Sequence, residues 1–266
     1  MTPIDPVVPR PAATILLVRD GTDGLEVFMA TRHQGSSFMP GLLVFPGGRV
    51  DDGDSDPRLL APLAPESRAH PDLISRIAAI REVFEEAGFL FARPLEEETI
   101  VGADRLRALS AAYRKRIHQG EATLAAMVES EALALVTDRL IPFAHWITPP
   151  ISPKRFNTRF YIAAAPHDQE GAHDDRELID SRWIRPSDAI AESDRGQARI
   201  AFVTRSNLRL LGRSATVSDA LAAAASRRIV TVEPQPFERA DGPALRIPVE
   251  AGYDVTEVLV KDTGIA

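Results

Sequence analysis

The run REVFEEAGF, Arg81 to Phe89, carries Glu82, Glu85 and Glu86 at spacings of three and four residues. On a helix those spacings put three carboxylates on one side. Like charges so placed repel by roughly a few tenths of a kcal/mol per pair in an isolated helix, so something must offset them. A hard divalent cation with oxygen ligands, magnesium or manganese, would do so and would have a use beside a diphosphate. A Glu-Glu pair by itself marks only the wet face of an amphipathic helix. Here it stands with more. Upstream lies FPGGRVDDGDSD, Phe45 to Asp56, in which the short apolar run Leu42 to Phe45 is stopped by Pro46-Gly47-Gly48, where backbone freedom is needed.

Working outward, the helix is predicted to begin at Asp72, an acidic N-cap candidate. Its apolar positions Leu73, Ile77, Ile80, Phe84 and Ala87 recur at three and four residues, and Gly88 is placed to end it. Ala12 to Val18 and Leu25 to Arg32 read as two strands of a hairpin joined by RDGTDG. Further strands are expected at Leu140 to Pro149, Arg155 to Ala165 and Leu178 to Ile184, the last followed by Pro186-Ser187-Asp188 and a helix near Ala189. Asp104 to Val136 reads as two helices around Gly120, with its charges on a solvated face and no chemistry assigned. Ile229 to Ala266 holds short strand-like runs, an extra hairpin or a dimerisation arm that makes a homodimer a candidate assembly.

The chain has 266 residues, 44% hydrophobic and 26% charged, ordinary for a globular protein. Its 31 basic and 38 acidic residues give a net charge of -7, which disfavours nonspecific nucleic-acid binding. Cysteine is absent, which excludes disulfides, thiolate nucleophiles and thiolate metal sites. No apolar run reaches the ~18 residues of a membrane span, and the start MTPIDPVVPRPAAT has no signal-peptide core, so no membrane partner and a cytoplasmic location are expected.

Taken together, the residues resemble a Nudix hydrolase, whose box reads G-x5-E-x7-R-E-U-x-E-E-x-G-U, U being a bulky aliphatic residue. Arg81, Glu82, Val83, Glu85, Glu86 and Gly88 match its second half, with Phe89 in the last apolar place. From Gly48 the first spacing lands on Asp54, one methylene shorter than the family's glutamate. Residues 55–80 then separate Asp54 from Arg81, far more than the family's seven. Such an insertion is similar to the branch of coenzyme A and acyl-coenzyme A diphosphatases, as are PAATILLVRD, FMPGLLVFPGG and the WITPP and RFNTRFYIAA segments. The resemblance covers most of Pro11 to Leu211.

It implies an α/β (α+β) fold, an α/β/α sandwich with a mixed sheet. Residues 1–228 would be the Nudix domain, with an insert in the box at about 55–71 and a helical insert at about 104–138, and 229–266 a C-terminal extension. The box insert either shapes the substrate pocket or passes over the surface; a surface excursion would cost little, since loop-closure entropy grows only logarithmically with length. It implies Mg2+ or Mn2+ held by Glu85, Glu86, Glu82 and the Gly47 backbone carbonyl, Glu82 either as a ligand or in base chemistry, and Arg81 supporting them. It implies hydrolysis of a small-molecule nucleoside diphosphate derivative, coenzyme A or acyl-coenzyme A first, with Gly48 in the substrate turn. A base from a later loop is a family habit, which puts Glu177 and Glu170 forward as candidates. Arg32, Gly41 and FPGG fit the coenzyme A signature, Arg32 either as a substrate-phosphate contact or in a structural salt bridge, whereas His33 and Ser37 depart from it. A bidentate phosphate contact is not replaced by the Ser37 hydroxyl, so ADP-ribose or NADH cleavage and a non-catalytic nucleotide sensor stand as alternatives. His145 and Trp146 read as core or interface residues, and Phe156, Phe160 and Tyr161 as packing, with one aromatic able to cover an adenine. His167 and His173 read as loop residues, with metal binding by them and Asp168, Asp174 and Asp175 the alternative.

Overall fold

In the computed structural model, which describes residues 7–35, 40–171 and 178–264, the chain begins with the expected hairpin. Strand β1 (Arg10–Gly21) pairs with β2 (Gly24–Arg32), Val18 opposite Val27 and Gly21 opposite Gly24. Alternation along β1 sends Ala13, Ile15 and Leu17 into one core and Leu16 and Val18 into the other. A strand covered on both faces reads as a continuous apolar run, as this one does. The strand expected from Leu42 shortens to β3 (Leu43–Val44), and the glycine turn itself becomes β4 (Gly47–Arg49), antiparallel to Ala12–Thr14 of β1. Glycine is required there: Gly47 has φ +156°, and a Cβ would fall 2.5 Å from the Ala13 carbonyl oxygen.

The box insertion is more than a surface excursion. It folds as α1 (Pro57–Leu60) and α2 (Pro65–Arg68), and it buries Leu59 and Leu63 in the core beside α3 (Leu73–Ala87). Two leucines in a polar stretch suffice to draw it onto the apolar face it crosses. Helix α3 ends as predicted at Gly88, left-handed at φ +73°, whose N–H donates to the Phe84 carbonyl at 3.1 Å. Asp72 precedes it without a side-chain cap; its carboxylate pairs with Arg159 at 3.1 Å instead.

Beyond α3 come β5 (Ala92–Pro94), α4 (Ala103–Leu109), α5 (Lys115–His118), α6 (Leu124–Ser130) and β6 (Leu133–Leu135). A π turn over Ser110–Arg114 joins α4 to α5, and Gly120 at φ +72° divides this stretch from α6. That gives the two helical stretches expected around Gly120, plus a β5–β6 pairing that the helical periodicity hid. Strands β7 (Ile141–Ile147), β8 (Phe156–Ala164) and β9 (Leu178–Ile184) follow, then α7 (Pro186–Asp194), α8 (Phe202–Leu211) and α9 (Val217–Ser226). Helix α7 starts three residues before Ala189 because Pro186 fits the first helical position, where no N–H is needed.

Strand β10 (Thr231–Val232) joins β7, so the mixed sheet runs β10-β7-β8-β1-β2-β3, with β4 on β1 and β9 on β2. The β8–β1 contact is parallel. Helices α3 and α6 cover one face and α7, α8 and α9 the other, an α/β/α sandwich. The C-terminal run forms its own antiparallel sheet of β11 (Gln235–Arg239), β12 (Gly242–Arg246) and β13 (Glu257–Leu259), three strands where a hairpin was expected. Ile247 and Tyr253 anchor this segment in the second core.

Candidate functional site

The two halves of the interrupted motif meet on one guanidinium. Arg81 projects from α3, and its Nε and Nη2 donate to Oδ1 and Oδ2 of Asp54 at 2.8 and 3.1 Å, a forked pairing. Nη1 donates to Glu82 at 2.9 Å and Glu85 at 3.2 Å, and Nη2 also reaches the Arg49 carbonyl at 2.8 Å. Asp54 is 1% exposed and accepts the Asp51 N–H at 2.8 Å, so a tight turn carries its short side chain to the arginine. Burial opposes the charge on Arg81, but Asp54, Glu82 and Glu85 outweigh it and hold the guanidinium above its ordinary value.

The glycine turn closes on the same face. The Gly47 N–H donates to Glu86 Oε2 at 2.8 Å, and Glu86 is 1% exposed. A Cβ on Gly48 would lie 2.5 Å from a Glu82 carboxylate oxygen, so this position admits the carboxylate only because it is glycine. Burial pushes the Glu85 carboxyl up, against the pull of Arg81. Among the described residues no three carboxylate or imidazole groups form a ready-made metal cage, since Arg81 draws Glu82 and Glu85 to itself. The donors fit a magnesium or manganese ion by their chemistry: all are oxygens, and a cation would relieve the burial penalty on Glu85.

These groups line a cleft of about 440 Å³ that also takes in Thr14, Arg32, Arg49 and His118. Gly47, Gly48, Arg81, Glu82 and Glu85 therefore share one cavity with Arg32, delivered by the end of β2, while Glu86 sits behind the glycine turn. Glu177, Ser37, His173, Asp174 and Asp175 lie outside the described residues. Glu170 is exposed and does not line the cleft. His167 is exposed beside Asp168, and His145 is held by Thr231 and Asn157.

The helical stretch to which no chemistry was assigned does reach the site. His118 of α5 places Nδ1 3.8 Å from Glu85 Oε2, and Arg114 Nε donates to the Glu85 carbonyl at 2.9 Å. No spacing connects these residues to Glu85, so only the folded chain brings them there. A second, apolar chamber of about 150 Å³ adjoins the cleft, walled by Phe45, Trp146, Phe160, Phe202, Pro234 and Leu245. The two share Thr14, Arg32, Gly47, Phe156 and Thr158. Trp146, Phe156 and Phe160, read as core, interface or packing residues, are thus cavity walls as well.

A family model described as the NUDT19 Nudix domain matches residues 61–203. The chain belongs to the Nudix hydrolases. The match begins inside the box insertion and takes in Arg81, Glu82, Glu85 and Glu86, which the glycine turn and Asp54 reach through the contacts just described. Nudix hydrolase 7 of Caenorhabditis elegans is 32% identical over 192 residues, 71% of this chain and 55% of that protein. Acyl-coenzyme A diphosphatase NUDT19 of Xenopus laevis is 24% identical over 213 residues, 65% of this chain and 56% of that protein. The chain spans about half the length of the curated relatives it matches. The crystal structure of a Nudix hydrolase from Alicyclobacillus acidocaldarius has the same fold, with a TM-score of 0.64 at 24% identity over 81% of this chain and 96% of that one.

Proposed function

We propose that this chain hydrolyses the diphosphate linkage of a coenzyme A-type nucleoside diphosphate derivative, with a magnesium or manganese ion in the glutamate cleft. The observation that carries this reading is the Arg81 junction, which gathers Asp54, Glu82 and Glu85 into one site despite the insertion. The names of the acyl-coenzyme A diphosphatase relatives support the choice of substrate.

Glu85, Glu86 and the Gly47 carbonyl would hold the ion, and Glu82 either completes the set or accepts the proton of the attacking water. When bound, the ion supplies charge stabilisation to the phosphate oxygens and lowers the pKa of water. Arg81 keeps the carboxylates oriented, its planar fork fixing two at once. Arg32, which lines the same cleft, would bind a substrate phosphate.

The test is product analysis by mass spectrometry with coenzyme A, acyl-coenzyme A, ADP-ribose and NADH, each with Mg2+ and Mn2+. Cleavage of coenzyme A or its thioester is expected, falling by at least ~100-fold in folded Glu85→Gln and Glu86→Gln proteins. Absence of metal-dependent cleavage across the panel overturns the reading.

A further inference from the structure

The apolar chamber has no part in holding or cleaving a diphosphate, yet it shares five lining residues with the cleft that does. A molecule whose phosphates lay between Arg32 and the glutamates would have the next few atoms of its chain beside the chamber. Among the described residues that line the chamber, Arg32 is the one charged side chain, and there is no carboxylate and no side-chain amide. The Thr148 hydroxyl is already engaged, accepting the Phe156 N–H at 3.0 Å. Part of the wall comes from the C-terminal segment, through Pro234 and the 1% exposed Leu245.

Coenzyme A leaves its diphosphate in two directions. One leads to a ribose with one free hydroxyl, a 3′-phosphate and adenine. The other leads to CH2–C(CH3)2, the branched and uncharged start of the pantetheine arm. Apolar side chains dominate these walls. Besides Arg32, their polar side-chain groups are the hydroxyls of Thr14, Thr148, Thr158 and Thr204 and the Trp146 indole, which is bonded to Tyr253. The ribose and its phosphate would therefore recover few of the hydrogen bonds they make to water. The branched methyls would gain by leaving water.

Resting on the substrate reading above, we propose that the chamber seats the branched aliphatic segment of the pantetheine arm, and that two of its lining residues, Val203 of α8 and Leu245 of the C-terminal sheet, set this specificity. The extension then completes the substrate site.

The test is binding, without turnover. Of the two tryptophans, Trp146 lines the chamber, whereas Trp183 packs against Phe28 and Phe89 with ring centres 5.4 and 6.0 Å away. In a Trp183→Phe protein with metal chelated, 4′-phosphopantetheine and adenosine 3′,5′-bisphosphate are titrated while Trp146 emission is followed. A saturable change with 4′-phosphopantetheine and none with the nucleotide at equal concentration is expected. Val203→Arg should weaken that response at least tenfold, and the milder Val203→Gln serves if the arginine variant does not fold. Equal responses, a response to the nucleotide alone, no response to either, or wild-type binding by the folded variant overturns the proposal. If the arm binds while coenzyme A resists cleavage, the diphosphatase reading falls and the seat stands; cleavage without a response to the arm does the reverse.

Discussion

Arg81 shows how much one side chain can organise. Its pairing with Asp54 is buried on the aspartate side and forked in geometry, so removing the carboxylate takes the acceptor from Nε while Glu82 and Glu85 still face the charge. Asp54→Ala should destabilise the protein by roughly 1–3 kcal/mol, read from urea unfolding at neutral pH. Gly48→Ala should behave differently. The added Cβ meets only the far end of Glu82, which swings away, so the fold persists while Mn2+ affinity measured by calorimetry drops about tenfold. At this scale the sequence is highly legible, because Arg81, Glu82, Glu85 and Glu86 stand at fixed helical spacings that survive any upstream change. His118 was not legible. Its approach to Glu85 depends on how α5 docks on α3, and nothing local encodes that.

At the level of elements, the box insertion is an integral layer. Leu59 is 1% exposed within the α3 core, and Leu59→Ala should cost about 3 kcal/mol, whereas a mere surface loop would show almost no change in thermal melting. The insertion also ends in a histidine that reports on pH. His70 accepts the Asp72 N–H at 3.1 Å and lies 2.9 Å from Arg76. Burial first, then the charge of Arg76, holds its pKa below the ordinary value. The unfolded chain therefore takes up this proton first as pH falls through about 6.5. Stability contributed at higher pH is lost between that point and the lower folded value, and His70→Gln should flatten this part of the melting-temperature profile. Strand and helix positions followed from periodicity, β9 and α3 among them. The β5–β6 pair escaped, because three-residue strands carry too few alternations to stand out beside helices.

Across the whole molecule, two cores flank one sheet, and the C-terminal segment locks the second. Trp146 Nε1 donates to the Tyr253 hydroxyl at 2.9 Å, which in turn donates to Asn207 Oδ1 at 2.8 Å. Burial pushes the Tyr253 phenol up to about 12, so it stays neutral throughout the working range. Tyr253→Phe should lower stability by about 1–3 kcal/mol through the partners left behind, measured by chemical denaturation. The α/β/α layering was legible from the buried strands and the box resemblance. The tie from strand β7 to a tyrosine over a hundred residues later was not, since long-range hydrogen bonds leave no local pattern.

The parallel contact between β1 and β8 sets Arg10 beside Phe156 and Thr14 beside Phe160. During synthesis, more than half of the chain must leave the ribosome before the centre of the sheet can close. Until then β1 has only β2 and β4 on one side, and its other edge stays open to wrong partners. Refolding from denaturant is therefore expected to be limited by closure of the β1–β8 pair, since distant pairings are the slowest to form.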